Sequence, residues 1–328
     1  MKNFKYVRIR FFIFAVLIIS GCSKKPLAII GQGRTFRVIG YLPRQQNLLL
    51  GANSIDYSKI THLNIAFINP DSTGKLIGIE NLKAAAEIAH SKKVKIMASI
   101  GGGSAPAYYP AFLVGEKQVK LIADLVRLAV DSDLDGIDVD LEGGLIDANY
   151  EQFVVNLAAA LKQKNKMITA AIATVYKDQF TDKALKQFDF VNIMSYDKTG
   201  PWNPARSGQH APYKMAVSDL DYWTNIRGIA KEKLSLGVPF YGYGFGGTAP
   251  ESISWKEVLR NYPSGVQSDE LTLNGGIIYY NGIPTIRKKA VLAAEQAGGI
   301  MIWQLLHDTT GAQSLLNNID EVVKSKTR

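Results

Sequence analysis

The sequence predicts a (β/α)8 barrel, a parallel α/β fold. Three observations carry that expectation. Apolar strand-like runs and helix-like runs alternate from Phe36 to the C-terminus, eight strands in all; continuous apolar strands alternating with helices build a parallel sheet covered by helices. Residues 35–328 suit the length of one such barrel. The chemically distinctive side chains Ser99, Glu142, Tyr196, Asp197 and Trp303 fall at the C-terminal ends of the strands, the end at which barrels carry their chemistry.

Taken in order, Phe36–Tyr41 reads as the first strand and Ile60–Phe67 as the second, followed by a Pro/Asp/Gly loop. Asn81–Lys92 has helical spacing. Val94–Ile100 is the third strand and runs into Gly101-Gly102-Gly103. Lys117–Ser132 is an amphipathic helix, Leu134–Gly143 holds the fourth strand, and Tyr150–Gln163 is helical. Met167–Ala173 and Phe188–Asp197 are the fifth and sixth strands, Met215–Arg227 is a helix, and Lys233–Tyr241 is the seventh strand. The long connection from Tyr241 to Gly299 reads as a helix at Trp255–Asn261, a hairpin over 276–285 turning at Asn281-Gly282, and a helix at Ile286–Gln296. It is too small for a second domain. Gly299–Gln304 is the eighth strand and Gln313–Lys324 the closing helix.

The fourth strand organises the chain. Alternation puts Ile137, Val139 and Leu141 on one face and Asp138, Asp140 and Glu142 on the other. At a rise of about 3.3 Å per residue these carboxyls couple, so they cannot all ionise and at least one pKa must rise. A carboxylic acid that keeps its proton near neutral pH is made in this way. Two other readings of the letters exist. Asp131-x-Asp133-x-Asp135-Gly136-x5-Glu142 fits a calcium-loop pattern. Against it, Asp138 stands where an apolar residue belongs, and Gly143-Gly144 stands where a helix should start. A solvated acidic loop would not alternate with Ile, Val and Leu.

The first residues read as an address. Lys2, Lys5, Arg8 and Arg10 form a basic n-region, and Phe11–Ile19 an apolar stretch too short for a comfortable membrane span. Ile19-Ser20-Gly21-Cys22 resembles a bacterial lipoprotein box. The expected layout is a signal peptide at 1–21, a lipidated Cys22 opening a tether at 22–34, and one catalytic domain at 35–328. The expected location is the bacterial cell envelope, with the anchor in the membrane. Cys22 is the only cysteine, which removes disulfides and cysteine metal sites. Part of the formal charge of +9 lies in the n-region, and the remainder is spread out; nucleic acid is not an expected partner. Gly242-x-Gly244-x-Gly246-Gly247 mimics a dinucleotide loop, but no helix pattern follows it.

Four motifs in order resemble family 18 of the glycoside hydrolases, the chitinase family. Asp135-x-x-Asp138-x-Asp140-x-Glu142 resembles its D-x-x-D-x-D-x-E signature, Ser99-x-Gly101-Gly102 its S-x-G-G motif, and Met194-x-Tyr196-Asp197 its M-x-Y-D motif. Trp303 matches the eighth-strand tryptophan. Gly40-Tyr41, His62 with Ala66-Phe67, Gly208–Pro212 and Leu236–Gly242 are also similar, so the likeness covers Arg37 to about Asp308. Two departures stand out. Tyr243 replaces an arginine found in many relatives, and the Tyr241–Gly299 segment is too short for the inserted α+β subdomain of some of them.

The resemblance implies substrate-assisted hydrolysis of β-1,4-linked N-acetylglucosamine polymers, outside the two-carboxylate scheme. Glu142 is then the acid and base, Asp140 holds the acetamido N–H, Asp138 shares a proton with Asp140, and Tyr196 holds the acetamido oxygen. Asp197, Met194, Trp303, Tyr41, Phe67, Gly101, Gly102 and Tyr241 are expected to contact substrate, with Trp303 as the floor. Ser99 and Asp135 are expected to be structural beside the site. Trp202, Tyr108, Tyr109, Tyr243 and Phe245 are candidates for the groove wall, and Trp223 for packing. No cofactor or metal is called for; His62 and His307 are read as satisfied hydrogen-bonders. The chain is expected to be a monomer. The alternatives are an endo-β-N-acetylglucosaminidase acting on N-glycan cores and a non-catalytic sugar-binding lipoprotein. The second would have lost the Glu or Asp of the signature, and both are present.

Overall fold

Eight parallel strands close on one another in the order Arg37–Pro43, Gly299–Trp303, Leu234–Pro239, Phe190–Ile193, Met167–Ile172, Gly136–Asp140, Lys95–Gly101 and His62–Ala66. The structure, a computed structural model, describes residues 1, 36–44 and 47–326. The segments expected to be a signal peptide and a tether, with Cys22, therefore lie outside the described residues apart from Met1. The unit that carries the fold is Thr35–Arg328. In chain order its elements are β1 (Arg37–Pro43), α1 (Leu48–Asn53), β2 (His62–Ala66), α2 (Leu82–Ser91), β3 (Lys95–Gly101), α3 (Gly115–Asp131) and β4 (Gly136–Asp140). Then come α4 (Tyr150–Lys162), β5 (Met167–Ile172), α5 (Asp182–Leu185), β6 (Phe190–Ile193), α6 (Tyr213–Asp221) and β7 (Leu234–Pro239). The segment after it holds β8 (Tyr241–Phe245), β9 (Ser252–Ser254), α7 (Trp255–Asn261), β10 (Glu270–Leu273), β11 (Gly276–Tyr279) and α8 (Ile283–Gln296). The barrel closes with β12 (Gly299–Trp303), and α9 (Leu315–Lys326) follows.

Strand alternation divides the core in two. Val38 and Leu42 of β1, and Ile137 and Val139 of β4, face outward into the large cluster beneath the helices. Ile39, Tyr41, Met97, Ala171, Phe190, Met194 and Met301 fill the barrel. The inward positions of β4 are the buried Asp138 and Asp140. Polar groups there are costly unless they are hydrogen-bonded.

Beyond shifts of a few residues at strand and helix ends and the short helices α1 and α5, which the sequence reading lacks, four differences change the architecture. The seventh strand ends at Pro239, and Tyr241 begins β8 of a separate sheet ordered β10-β11-β8-β9. Phe240 is the hinge: its N–H donates to Trp303 O and its carbonyl accepts from Trp255 N. The hairpin is β10–β11, with Leu273 paired to Gly276 across Asn274-Gly275. Asn-Gly favours such two-residue turns, and Gly275 takes φ +72°. Asn281-Gly282, the expected turn, instead leads into α8; the Asn281 amide is buried and donates to Ala211 O. Helix α6 stops at Asp221 and passes into a π-helical turn at Tyr222–Ile226, which seats the buried Trp223 with its indole N–H donating to Thr174 Oγ1. The sixth strand ends at Ile193, and the chain turns through Ser195 to Asp197 at φ +59°. The Tyr241–Gly299 segment, read as one hairpin with helices, thus makes a small four-stranded sheet carrying α7.

Candidate active site

The C-terminal ends of β1–β6 and β12 open into a cleft of about 430 Å³, lined among others by Asp140, Glu142, Tyr196, Asp197, Phe67 and Trp303. Glu142 lies just past β4 on extended backbone (φ −122°, ψ 156°). It therefore keeps the strand's alternation and stays on the side of Asp138 and Asp140.

Asp138 lies deepest. Its Oδ2 accepts from the Tyr41 hydroxyl and from Ser99 Oγ, both at 2.7 Å, and its Oδ1 accepts from Thr169 Oγ1 at 2.6 Å. Parallel register makes this possible, because Asp138 sits level with Ser99 on β3 and Thr169 on β5. Burial pushes the Asp138 pKa up, and these hydroxyl donors oppose the rise. Asp140 has no such support: its Oδ1 is buried without a hydrogen-bond partner among the described residues. Burial, then the Glu142 and Asp138 charges, raise its pKa well above the carboxylate range. Negative charge is thus favoured on Asp138 and a proton on Asp140. Glu142 is pushed up to about 7, first by burial and then by the Asp197 charge. A side chain so placed donates a proton near neutral pH.

The far wall comes from the turn after β6. Asp197 accepts from the Tyr241 hydroxyl at 2.6 Å, and its Oδ1 lies 3.2 Å from Nδ1 of the fully buried His210. Ser195 Oγ donates to the buried Asp219 at 2.7 Å, fixing the turn from behind. The 209–211 loop is held by Lys289, a fully buried lysine whose Nζ donates to Ala211 O and Asn281 Oδ1. Among the described residues the Tyr196 hydroxyl reaches only Met301 Sδ at 3.7 Å, a weak acceptor. Below, Trp303 stacks on Phe67 (centroids 5.6 Å, 23° between planes) and is tilted against Tyr41 at 5.5 Å. The near wall needs glycine. A Cβ on Gly101 (φ +97°) would sit 2.2 Å from Asp140 O, and one on Gly102 (φ +85°) 2.3 Å from the Phe67 ring.

The model of the Glycosyl hydrolases family 18 matches residues 37–308. The chain belongs to that family. Among solved structures, it is similar to the family 18 chitinase ChiB from the chitin utilization locus of Flavobacterium johnsoniae, with 36% identity, a TM-score of 0.81, and coverage of 89% of this chain and 95% of that one. Among curated proteins, it is similar to a chitinase-like effector of Moniliophthora roreri, 29% identical over 59% of this chain and 55% of the relative. It is also similar to Endochitinase 1 of Metarhizium anisopliae, 24% identical over 69% and 64%. The chain thus spans between half and two thirds of the length of these curated relatives.

Within this family 18 chain, the cleft brings together Glu142, Asp140, Tyr196, Asp197, Met194, Trp303, Tyr41, Phe67 and Gly101. Asp138 and Ser99 lie beneath it. Gly102 does not line the cleft; it makes room for Phe67. Tyr241 lies behind Asp197, bonded to it. Asp135 is away from the site and accepts from Ile96 N, tying β4 to β3. Tyr243 packs on Trp202, His210 and Tyr241 with centroids 5.3, 4.9 and 5.4 Å away, and Trp202 is exposed. His307 departs from expectation, since its Nδ1 is buried without a partner among the described residues. Among the described residues no group of three His, Cys, Asp or Glu could hold a metal. Sequence reasoning missed Thr169, His210 as a single residue, and Asn69, whose amide bonds both N and O of Gly101. Only strand register exposes Thr169; as a letter it is one more β-branched residue in a strand.

Proposed function

We propose that the chain hydrolyses β-1,4-linked N-acetylglucosamine polymers, chitin or its oligosaccharides, with the substrate's acetamido group as nucleophile. One observation carries this reading: Asp140 and Tyr196 line the cleft, and the protein leaves a carboxyl oxygen of the first and the hydroxyl of the second without a strong partner. Asp140 Oδ1 has no partner among the described residues, and the Tyr196 hydroxyl has only a sulfur. An acetamido group offers an N–H to the first and a carbonyl oxygen to the second. A plain glucan offers neither.

In this reading Glu142 gives its proton to the glycosidic oxygen as the C1–O bond breaks. The acetamido oxygen bonds to C1 and forms an oxazolinium. Asp140 accepts the acetamido N–H and, on passing its proton to Asp138, carries the negative charge that stabilises the oxazolinium; before that step the three hydroxyls around Asp138 hold the charge there. Glu142 then takes a proton from water, which attacks C1 and opens the ring. Two displacements at C1, the acetamido oxygen from one face and water from the other, each invert the centre and together keep the β configuration. The indole of Trp303 suits the C–H face of the pyranose. The 36%-identical relative is described as belonging to a chitin utilization locus, which supports chitin over an N-glycan core. The intact Glu142 and Asp140 favour an enzyme over a sugar-binding lipoprotein.

The test sets chitin oligosaccharides beside cello-oligosaccharides and a chitobiose-core N-glycan, with NMR of the fresh product. Chitin oligosaccharides should be cut to a β anomer, and cello-oligosaccharides left intact. An initial α anomer, or equal cutting of both polymers, would overturn substrate assistance; preference for the N-glycan would establish the other activity. We also propose that Cys22 is acylated and holds the domain, as a monomer, at the bacterial envelope, supported by Ile19-Ser20-Gly21-Cys22. Labelled palmitate should mark the wild type and not Cys22→Ala.

A further inference from the structure

The barrel has a second end. All eight strands are parallel, so the loops leading into them gather on the face opposite the cleft. Lysines crowd these loops. Lys92 and Lys93 precede β3, Lys162 and Lys164 lie at and after the end of α4, and Lys231 precedes β7; all five are exposed. Lys92, Lys93, Lys162 and Lys164 make no ion pair among the described residues. The acids of this face are largely engaged. Asp133 faces His90 at 3.4 Å and Lys166 at 4.0 Å, Asp135 accepts from Ile96 N, Asp189 accepts from Ile168 N, and Glu295 pairs with Lys326 at 2.8 Å. Asp131 and Asp221 are exposed.

The same face receives the chain. Arg37 opens β1 there, its guanidinium donating to the carbonyls of Glu232 and Leu234. Cys22 lies upstream of that point. Fully extended, the stretch from Cys22 to Phe36 spans at most about 50 Å. A tether of that reach limits distance from a membrane and leaves orientation free, so the charge of the domain decides which end turns down.

We propose that this lysine-bearing end rests on an anionic phospholipid surface and holds the catalytic cleft facing away from the membrane. The proposal rests on the acylation of Cys22 given above. Lysines are drawn to anionic headgroups within a Debye length, about 8 Å at physiological salt. A polymer cannot enter a cleft pressed against lipid, whereas the opposite orientation leaves it open.

The test uses the full acylated chain on vesicles of phosphatidylcholine alone and with phosphatidylglycerol. Amine acetylation is read by mass spectrometry at Lys93 and Lys164, with Lys198 and Lys75, exposed beyond β6 and β2, as references on the cleft end. On the anionic vesicles Lys93 and Lys164 should react at least about 5-fold more slowly relative to the references. The difference should vanish in 1 M salt, where the Debye length is about 3 Å. It should also vanish in Lys92→Glu/Lys162→Glu/Lys231→Glu, which keeps both reporters. Equal ratios on the two vesicles, or slowing at Lys198 instead, would overturn the proposal. An unmodified Cys22 in the N-terminal peptide would remove the anchor itself and the orientation with it; equal ratios with the acyl group present would overturn the orientation alone.

Discussion

Glu142→Gln separates what the acidic row does for chemistry from what it costs the fold. Glutamine keeps the shape and removes both the proton and the charge. General acid work contributes roughly 10²–10⁴-fold, so kcat should fall by at least that range with substrate binding kept or improved. Stability should move the other way. Burial, then Asp197, raise the Glu142 pKa from 4.5 to about 7. A carboxyl whose pKa is raised on folding binds its proton more tightly when folded. Its contribution to stability is therefore neutral below pH 4.5 and becomes a penalty as pH rises, reaching full size above about 7. After allowance for solvent at the cleft mouth, the penalty is about 2–3 kcal/mol. Glu142→Gln should thus match the wild type in denaturant midpoint at pH 4 and exceed it at pH 8. The assays are chito-oligosaccharide kinetics and urea unfolding at both pH values. The wild-type kcat should also fall as pH rises through about 7, as the acid form is lost. Activity above about a tenth of wild type would refute the catalytic role; an equal change in midpoint at the two pH values would refute the origin of the raised pKa.

Two further substitutions test the supports. Thr169→Val removes one of the hydroxyls held by the buried Asp138; it should cost about 1–3 kcal/mol in urea unfolding and move the pH profile of kcat, while Thr169→Ser should restore both. Gly101→Ala puts a methyl 2.2 Å from Asp140 O at φ +97°; it should lower the unfolding midpoint and kcat together, and a variant with normal kcat would show that the near wall tolerates displacement.

Much of this molecule is local and so legible in letters. Strand alternation is a property of consecutive residues, which is why Asp138, Asp140 and Glu142 share a side while Ile137, Val139 and Leu141 face the helices. The helix Trp255–Asn261 has the bounds read from its sequence, closed by a capping box from Ser254 and Glu257. Local signals failed where two turns competed: Asn274-Gly275 and Asn281-Gly282 carry the same dipeptide. Tertiary contacts chose between them, because Asn281 is drawn into the buried bonds of Ala211 and Lys289. The same holds for the end of β7, where the continuous apolar run of Val238–Tyr241 conceals that Phe240 passes from one sheet to another.

Periodicity and spacing along the chain were enough for the parallel barrel, the succession of its strands, and the row of acids at the mouth. Which acid keeps its charge was decided only in three dimensions. Register across β3, β4 and β5, closed by β1, converges the hydroxyls of Ser99, Thr169 and Tyr41 on Asp138 and none on Asp140 Oδ1. Hydrogen bonds from residues 31, 39 and 97 positions away leave no mark in the local pattern. They nevertheless set the electrostatics of the cleft, because in a buried site a few donors outweigh the identity of the titrating group.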